Sequence, residues 1–260
     1  MKILIYQVDA FADKVFSGNP AAVCPLDNWL PKETMQAIAE ENNLSETAFF
    51  LPNGNNYDIR WFTPKAEIGL AGHPTLATAH MIFTELEPDR RRVIFNTNLG
   101  DTLDVVLKDD ILTMDFPAWP LTPAEGIDQL AFALGARPKT FLNARDGFAV
   151  FDRQSDVQAL VPDMEKLCAM KYLGIIATAP GDNVDFVSRF FAPAHGIPED
   201  PVTGSAHCEL IPYWAKRLGK TELSARQISQ RGGHIYCSYS GDRVKIGGKA
   251  VTYMRGEIEI

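Results

Sequence analysis

At 260 residues the chain is long enough for one large domain or two modest ones. Its 46% hydrophobic and 22% charged residues are ordinary for a globular protein, and no run of about 18 apolar residues is present to span a membrane. A formal net charge of −8 argues against a nucleic-acid partner, because neutralising phosphates takes clustered Lys and Arg.

In chain order, MKILIYQVDAF opens on a strand over residues 3–9, its apolar run broken at Gln7 and Asp9, which sets it apart from a signal peptide. A helix over 32–41 follows a proline, and strands over 48–51 and 58–62 lead to a second helix over 74–85. The basic run Arg90 to Arg92 reads as a solvated turn, with strands over 102–107 and 112–116 after it. The Pro-rich stretch FPAWPLTPAEG marks a boundary, giving domains of 1–117 and 118–260, with the option that the last strand (253–260) returns to the first domain. Beyond it the pattern predicts short helices near 127–134 and 163–170 and strands over 172–177 and 186–191. A long helix over 201–218, capped by Asp200 and stopped by Gly219, precedes strands over 235–240 and 243–247.

The chain repeats itself. DIRWFTPKAEIGLAGHPTLATAH (58–80) aligns with DFVSRFFAPAHGIPEDPVTGSAH (185–207), so that His73-Pro74 falls against Asp200-Pro201 and His80 against His207. A strand, an x-Pro helix and a hairpin recur in the same order in each half, which predicts two related units of about 120 residues. Helices so rich in small and apolar residues suit burial within a sheet wrapped around each of them.

Each helix start offers backbone N–H donors without intrahelical acceptors and the positive end of a helix dipole, a natural site for a carboxylate. Pseudo-twofold packing would bring the two starts together at a cleft. Gly204, Ser205 and Ala206 permit close approach there, and Ser205 adds a hydroxyl. His73 and Asp200 occupy equivalent caps and differ chemically, which suits a substrate with both an amine and a hydroxyl or carbonyl. Two ordinary capped helices remain the alternative. His73 and His80 stand roughly 10 Å apart along a helix, too far to chelate one ion. No HExxH, phosphate loop, GxGxxG after a strand or GxSxG is present, so no metal and no nucleotide cofactor is expected. The scattered Cys24, Cys168, Cys208 and Cys237 read as reduced thiols of a cytoplasmic protein.

GNPAAVC (18–24), NNLSETAFF (42–50), IRWFTPKAEIGLAGHPTLATAH (59–80) and EDPVTGSAH (199–207) resemble, in order and over essentially the whole chain, the signature segments of the phenazine-biosynthesis isomerase (PhzF) family. The resemblance implies an α+β, diaminopimelate-epimerase-like fold: two pseudo-repeated domains, each a β-sheet wrapped around a central helix, with the active site in the cleft between them. It also implies Glu46 as the catalytic acid/base, assisted by His73 and Asp200. The matching motifs place Ser45, Gly72, Pro74, Thr75, Gly204 and Ser205 on the substrate. The epimerases of that fold use two cysteines at the helix starts, and neither loop here carries one.

A single carboxylate moving a proton within a small, amino-acid-like carboxylate, without cofactor or metal, is the chemistry these residues permit. An amino-acid epimerase with Glu46 and His73 or Asp200 as opposed bases, or a catalytically silent binding protein, are the alternatives. A homodimer is implied by the resemblance.

Overall fold

The computed structural model describes residues 1–260 and divides them into two compact units, Met1–Asp115 with Gly247–Ile260, and Phe116–Ile246. The first unit runs β1 (Lys2–Ala10), β2 (Asn19–Pro25), α1 (Lys32–Asn42), β3 (Glu46–Asn53), β4 (Asn56–Phe62), β5 (Glu67–Ile68), α2 (Gly72–Met81), β6 (Arg92–Thr97), β7 (Thr102–Lys108) and β8 (Ile111–Pro117). The C-terminal strand, Ala250–Glu259, pairs antiparallel along the whole of β1, from Lys2 opposite Glu259 to Ala10 opposite Ala250. From there the sheet continues through β1, β2, β3, β4, β6, β7 and β8.

One face of this sheet carries α1, whose Met35, Ile38 and Ala39 pack on Ala22, Cys24, Phe49 and Phe62. Against β1, β2, β3 and the C-terminal strand lies α2, buried from His73 through Ala79 and again at Met81. A helix buried on nearly every side has to be an interior one, and small residues let the sheet close around it. The helix passes into a π-helical turn over Ile82–Leu86, with Thr84 Oγ1 donating to the His80 carbonyl at 2.9 Å.

The second unit contains β9 (Thr122–Pro123), α3 (Ile127–Leu134), β10 (Thr140–Asn143), β11 (Gly147–Val150), α4 (Gln154–Gln158), α5 (Met164–Cys168), β12 (Ile175–Pro180), β13 (Phe186–Ala192), β14 (Ile197–Asp200), α6 (His207–Leu218), β15 (Glu222–Gln227), β16 (Gly233–Ser240) and β17 (Arg243–Gly248). Here α3, α4 and α5 supply Leu130, Leu134, Val157 and Leu167 to a core shared with Phe141, Ile175, Val187 and Phe191. Trp214 of α6 is buried, stacked on Phe186 at 5.7 Å, with its indole N–H donating to Thr178 Oγ1 at 3.0 Å.

The repeat seen in the sequence is visible in strand pairing. In the first unit, β2–β3 is parallel, β3–β4 antiparallel, β4–β6 parallel and β6–β7 antiparallel. The second follows the same series with β11–β12, β12–β13, β13–β15 and β15–β16. In both, the second parallel pair is bridged by the buried helix, α2 or α6. Parallel neighbours need such a crossover connection.

The long helix expected from Pro201 begins instead at His207, and Asp200 ends the strand β14. The residue before a proline is driven to extended backbone, which suits β14 and not a helix cap. The turn over 204–206 enters the helix through i→i+3 bonds, His207 N to Gly204 O and Cys208 N to Ser205 O, both 3.0 Å. Asp200 and His73 therefore do not occupy equivalent caps, since His73 lies inside the first turn of α2. The run Arg90 to Arg92 is likewise more than a turn, because Arg92 begins β6.

Candidate active site

Glu46 is the first residue of β3, opposite Ala21 of the parallel strand β2. His73 is the second residue of α2, and its Nε2 lies 3.0 Å from Glu46 Oε2. Both side chains are nearly enclosed, with 7% of the histidine and 12% of the glutamate exposed. Burial pushes the His73 pKa down to about 3, with the Pro20 carbonyl pulling the other way, so the ring is neutral at physiological pH. The dipole at the start of α2 works in the same direction.

Asn19, the first residue of β2, lies with Nδ2 3.3 Å from His73 Nδ1. The Nε2 edge of the ring faces the Glu46 carboxyl. No side chain caps α2, and Pro74 has no N–H, so the amides of Gly72 and His73 are the donors at this helix start. The Thr75 hydroxyl is committed to the Ala71 carbonyl at 2.6 Å, which leaves its place in the turn as its contribution here. Ser45 is half-buried beside Glu46.

In the second unit, Asp200 is 8% exposed and accepts from the Thr203 hydroxyl at 2.5 Å. Gln227 ties the same loop down: its Nε2 donates to the Asp200 carbonyl at 2.7 Å, and its Oε1 accepts from Thr203 N at 2.9 Å. Gly204 is buried and Ser205 half-buried in the turn that follows. Ser205 Oγ accepts a 2.9 Å bond from Arg145 Nη2.

The family is decided by a match of residues 8–256 to the family model described as phenazine biosynthesis-like protein. The chain belongs to the PhzF family. A curated relative from Pseudomonas aeruginosa, described as an uncharacterized isomerase, is 49% identical over the whole of both chains. A PhzF-family crystal structure from Enterococcus faecalis superposes with a TM-score of 0.97 at 46% identity, covering 100% of each chain. A probable proline racemase from Agrobacterium radiobacter shares the fold alone, with a TM-score of 0.63 at 10% identity over 99% of this chain and 92% of that one. With a full-length relative named as an isomerase, this PhzF-family protein is an isomerase.

Around these motifs the PhzF-family chain carries charged groups that sequence reasoning missed. Asp146 is wholly buried, and burial raises its pKa while Arg145 opposes the rise. Glu209 of α6, also wholly buried, accepts from Asp146 N at 3.1 Å. Burial, with the Asp146 charge beside it, pushes its pKa up to about 7. Nothing in the segment NARDGF announces this cluster, because its partners are more than fifty residues away in sequence.

Asn19 did have a signal, standing inside the quoted GNPAAVC segment. Cys208 is buried with its thiol pushed up to about 12, so it stays protonated. All four cysteines are free. No helix is long and apolar enough to cross a membrane.

Proposed function

We propose that this isomerase moves a proton within a small amino- or hydroxy-acid carboxylate, with Glu46 as the acid/base. The observation that carries the reading is the 3.0 Å approach of Glu46 Oε2 to the neutral ring of His73, at the uncapped start of a buried helix. Glu46 takes a proton from a substrate carbon. Glu46 then holds that proton as its carboxylic acid and returns it at another carbon, while the neutral His73 ring beside it exchanges no proton and positions the carboxyl. The Gly72 and His73 amides supply fixed donors for a carboxylate or for negative charge building as the C–H bond breaks. In the second unit, Asp200, Gly204 and Ser205 are the proposed substrate-holding groups, on the family motif that they match. Every step runs on side chains and backbone.

Racemisation by two thiolates has no support here, since Cys208 lies buried along α6 with a raised pKa. The enzyme incubated in D2O with a panel of small amino and hydroxy acids tests the reading. Wild type should incorporate deuterium at a carbon of at least one of them, and Glu46→Gln should not. Unchanged incorporation in the variant removes Glu46 from the chemistry. We also propose a homodimer, which sedimentation velocity checks directly.

A further inference from the structure

Arg145 is held in three ways, all within the second unit. Its Nε and Nη2 donate to the same oxygen of Asp146, Oδ2, at 3.2 and 2.8 Å. Nη2 also donates to Ser205 Oγ at 2.9 Å. The guanidinium lies over the Trp119 ring, 4.8 Å from its centroid. Trp119 is itself fixed to α6: its backbone N–H donates to the Cys208 carbonyl at 2.8 Å. That carbonyl is available because Pro212, four residues on in the helix, has no N–H to give it. The plane of the guanidinium is thus set by a chain of contacts that begins at a proline inside a helix.

Neutralising Asp146 uses only the Nε–Nη2 edge of this fork. The Nη1 donors have no partner in the protein, and a third of the side chain is exposed. Because Ser205 Oγ accepts from Arg145, its own hydroxyl proton points elsewhere and can be donated. A fixed cationic Nη1 donor beside a hydroxyl donor matches the two oxygens of a carboxylate better than a neutral amide, whose NH2 would face a donor. In the proposed function one substrate carboxylate is already taken by the amides of Gly72 and His73, so a carboxylate selected by Arg145 is a second one.

We propose that Arg145 is a specificity-determining residue that selects a substrate carrying a second carboxylate, an acidic amino acid or a related dicarboxylate. This rests on the proposed reading of Ser205 as a substrate-holding group. The probes are L-aspartate and L-glutamate against L-asparagine and L-glutamine, titrated by thermal shift at matched ionic strength. Ligands that bind the native state raise the midpoint by mass action.

Wild type should bind at least one acid about tenfold or more tightly than its amide, the loss expected when a charge-assisted bond goes unmade. Arg145→Gln alone strands the buried Asp146 charge, so the double variant R145Q/D146N is used beside it; it should fold and lose the preference. R145K should recover only part of it, keeping the charge without the fixed guanidinium plane. Equal binding of acids and amides, binding of neither, or a preference that survives in R145Q/D146N overturns the proposal. Glu46→Gln separates the two readings: it should keep the acid preference and lose deuterium exchange. Exchange persisting in that variant counts against Glu46 and leaves the Arg145 result standing on its own.

Discussion

The pH dependence of stability follows from four buried groups with opposed signs. Burial lowers the pKa of His73 to about 3 and those of His80 and His207 to about 4, from an ordinary 6.5. The unfolded chain binds protons that the folded chain refuses, so the stability these rings contribute is present above pH 6.5 and lost as pH falls below it. At about 1.36 kcal/mol per pH unit, each ring costs about 2 kcal/mol between pH 6.5 and 5. Glu209, raised from 4.5 to about 7, runs the other way, because its contribution is complete below pH 4.5 and fades as pH rises through 7. Over the same interval it returns about 2 kcal/mol.

The net expectation is a plateau above about pH 7 and a loss of about 4 kcal/mol on going down to pH 5, a large share of a typical 5–15 kcal/mol. Urea unfolding followed by the fluorescence of the buried Trp61 and Trp214 measures it. His207→Gln should flatten the acid limb by about 2 kcal/mol. Glu209→Gln should steepen it by a similar amount. A profile flat between pH 5 and 6.5, or an H207Q curve parallel to wild type, refutes the reasoning.

Other perturbations have equally direct readouts. Gly18 has φ +68°, and a Cβ there would sit 2.1 Å from the Ala10 carbonyl oxygen, so Gly18→Ala should cost about 2 kcal/mol or more by urea titration. A neutral result would mean that this turn can relax. Trp214→Phe deletes the bond to Thr178 and part of the stack on Phe186, for about 2 kcal/mol by the same assay. Asn19→Ala removes the amide beside His73 Nδ1 and should slow deuterium exchange about tenfold while the thermal midpoint moves little, since one hydrogen bond is worth about 1 kcal/mol. An unchanged exchange rate would show that Asn19 does not set the ring.

Much of the fold can be read from local pattern, and the departures have physical reasons. The strand β1, the helices α1 and α3 and the hairpin of β7 and β8 follow alternation, prolines and glycines that act within a few residues. NPAAVCP, with a proline near each end and alanines between, has little strand character of its own. It becomes β2 because it is held between β1 and β3 in a buried sheet. The start of α6 differs from the expected one because Asp-Pro resembles a cap and first turn, whereas the Thr203 hydroxyl and Gln227 hold Asp200 extended. Glu46 and His73 were identifiable through the segments that carry them. Asn19 lies in one of those segments too, whereas Arg145, Asp146 and Glu209 are brought together by neighbours far along the chain, where spacing says nothing.

The central claim is that the Glu46 carboxyl itself carries the substrate proton. Mass spectrometry of substrate recovered from D2O tests it most directly, comparing wild type, Glu46→Asp and Glu46→Gln at matched thermal stability. The account predicts a deuteron gained at carbon with wild type, slower gain with E46D and none with E46Q. Deuterium gained at the wild-type rate by folded E46Q would contradict it.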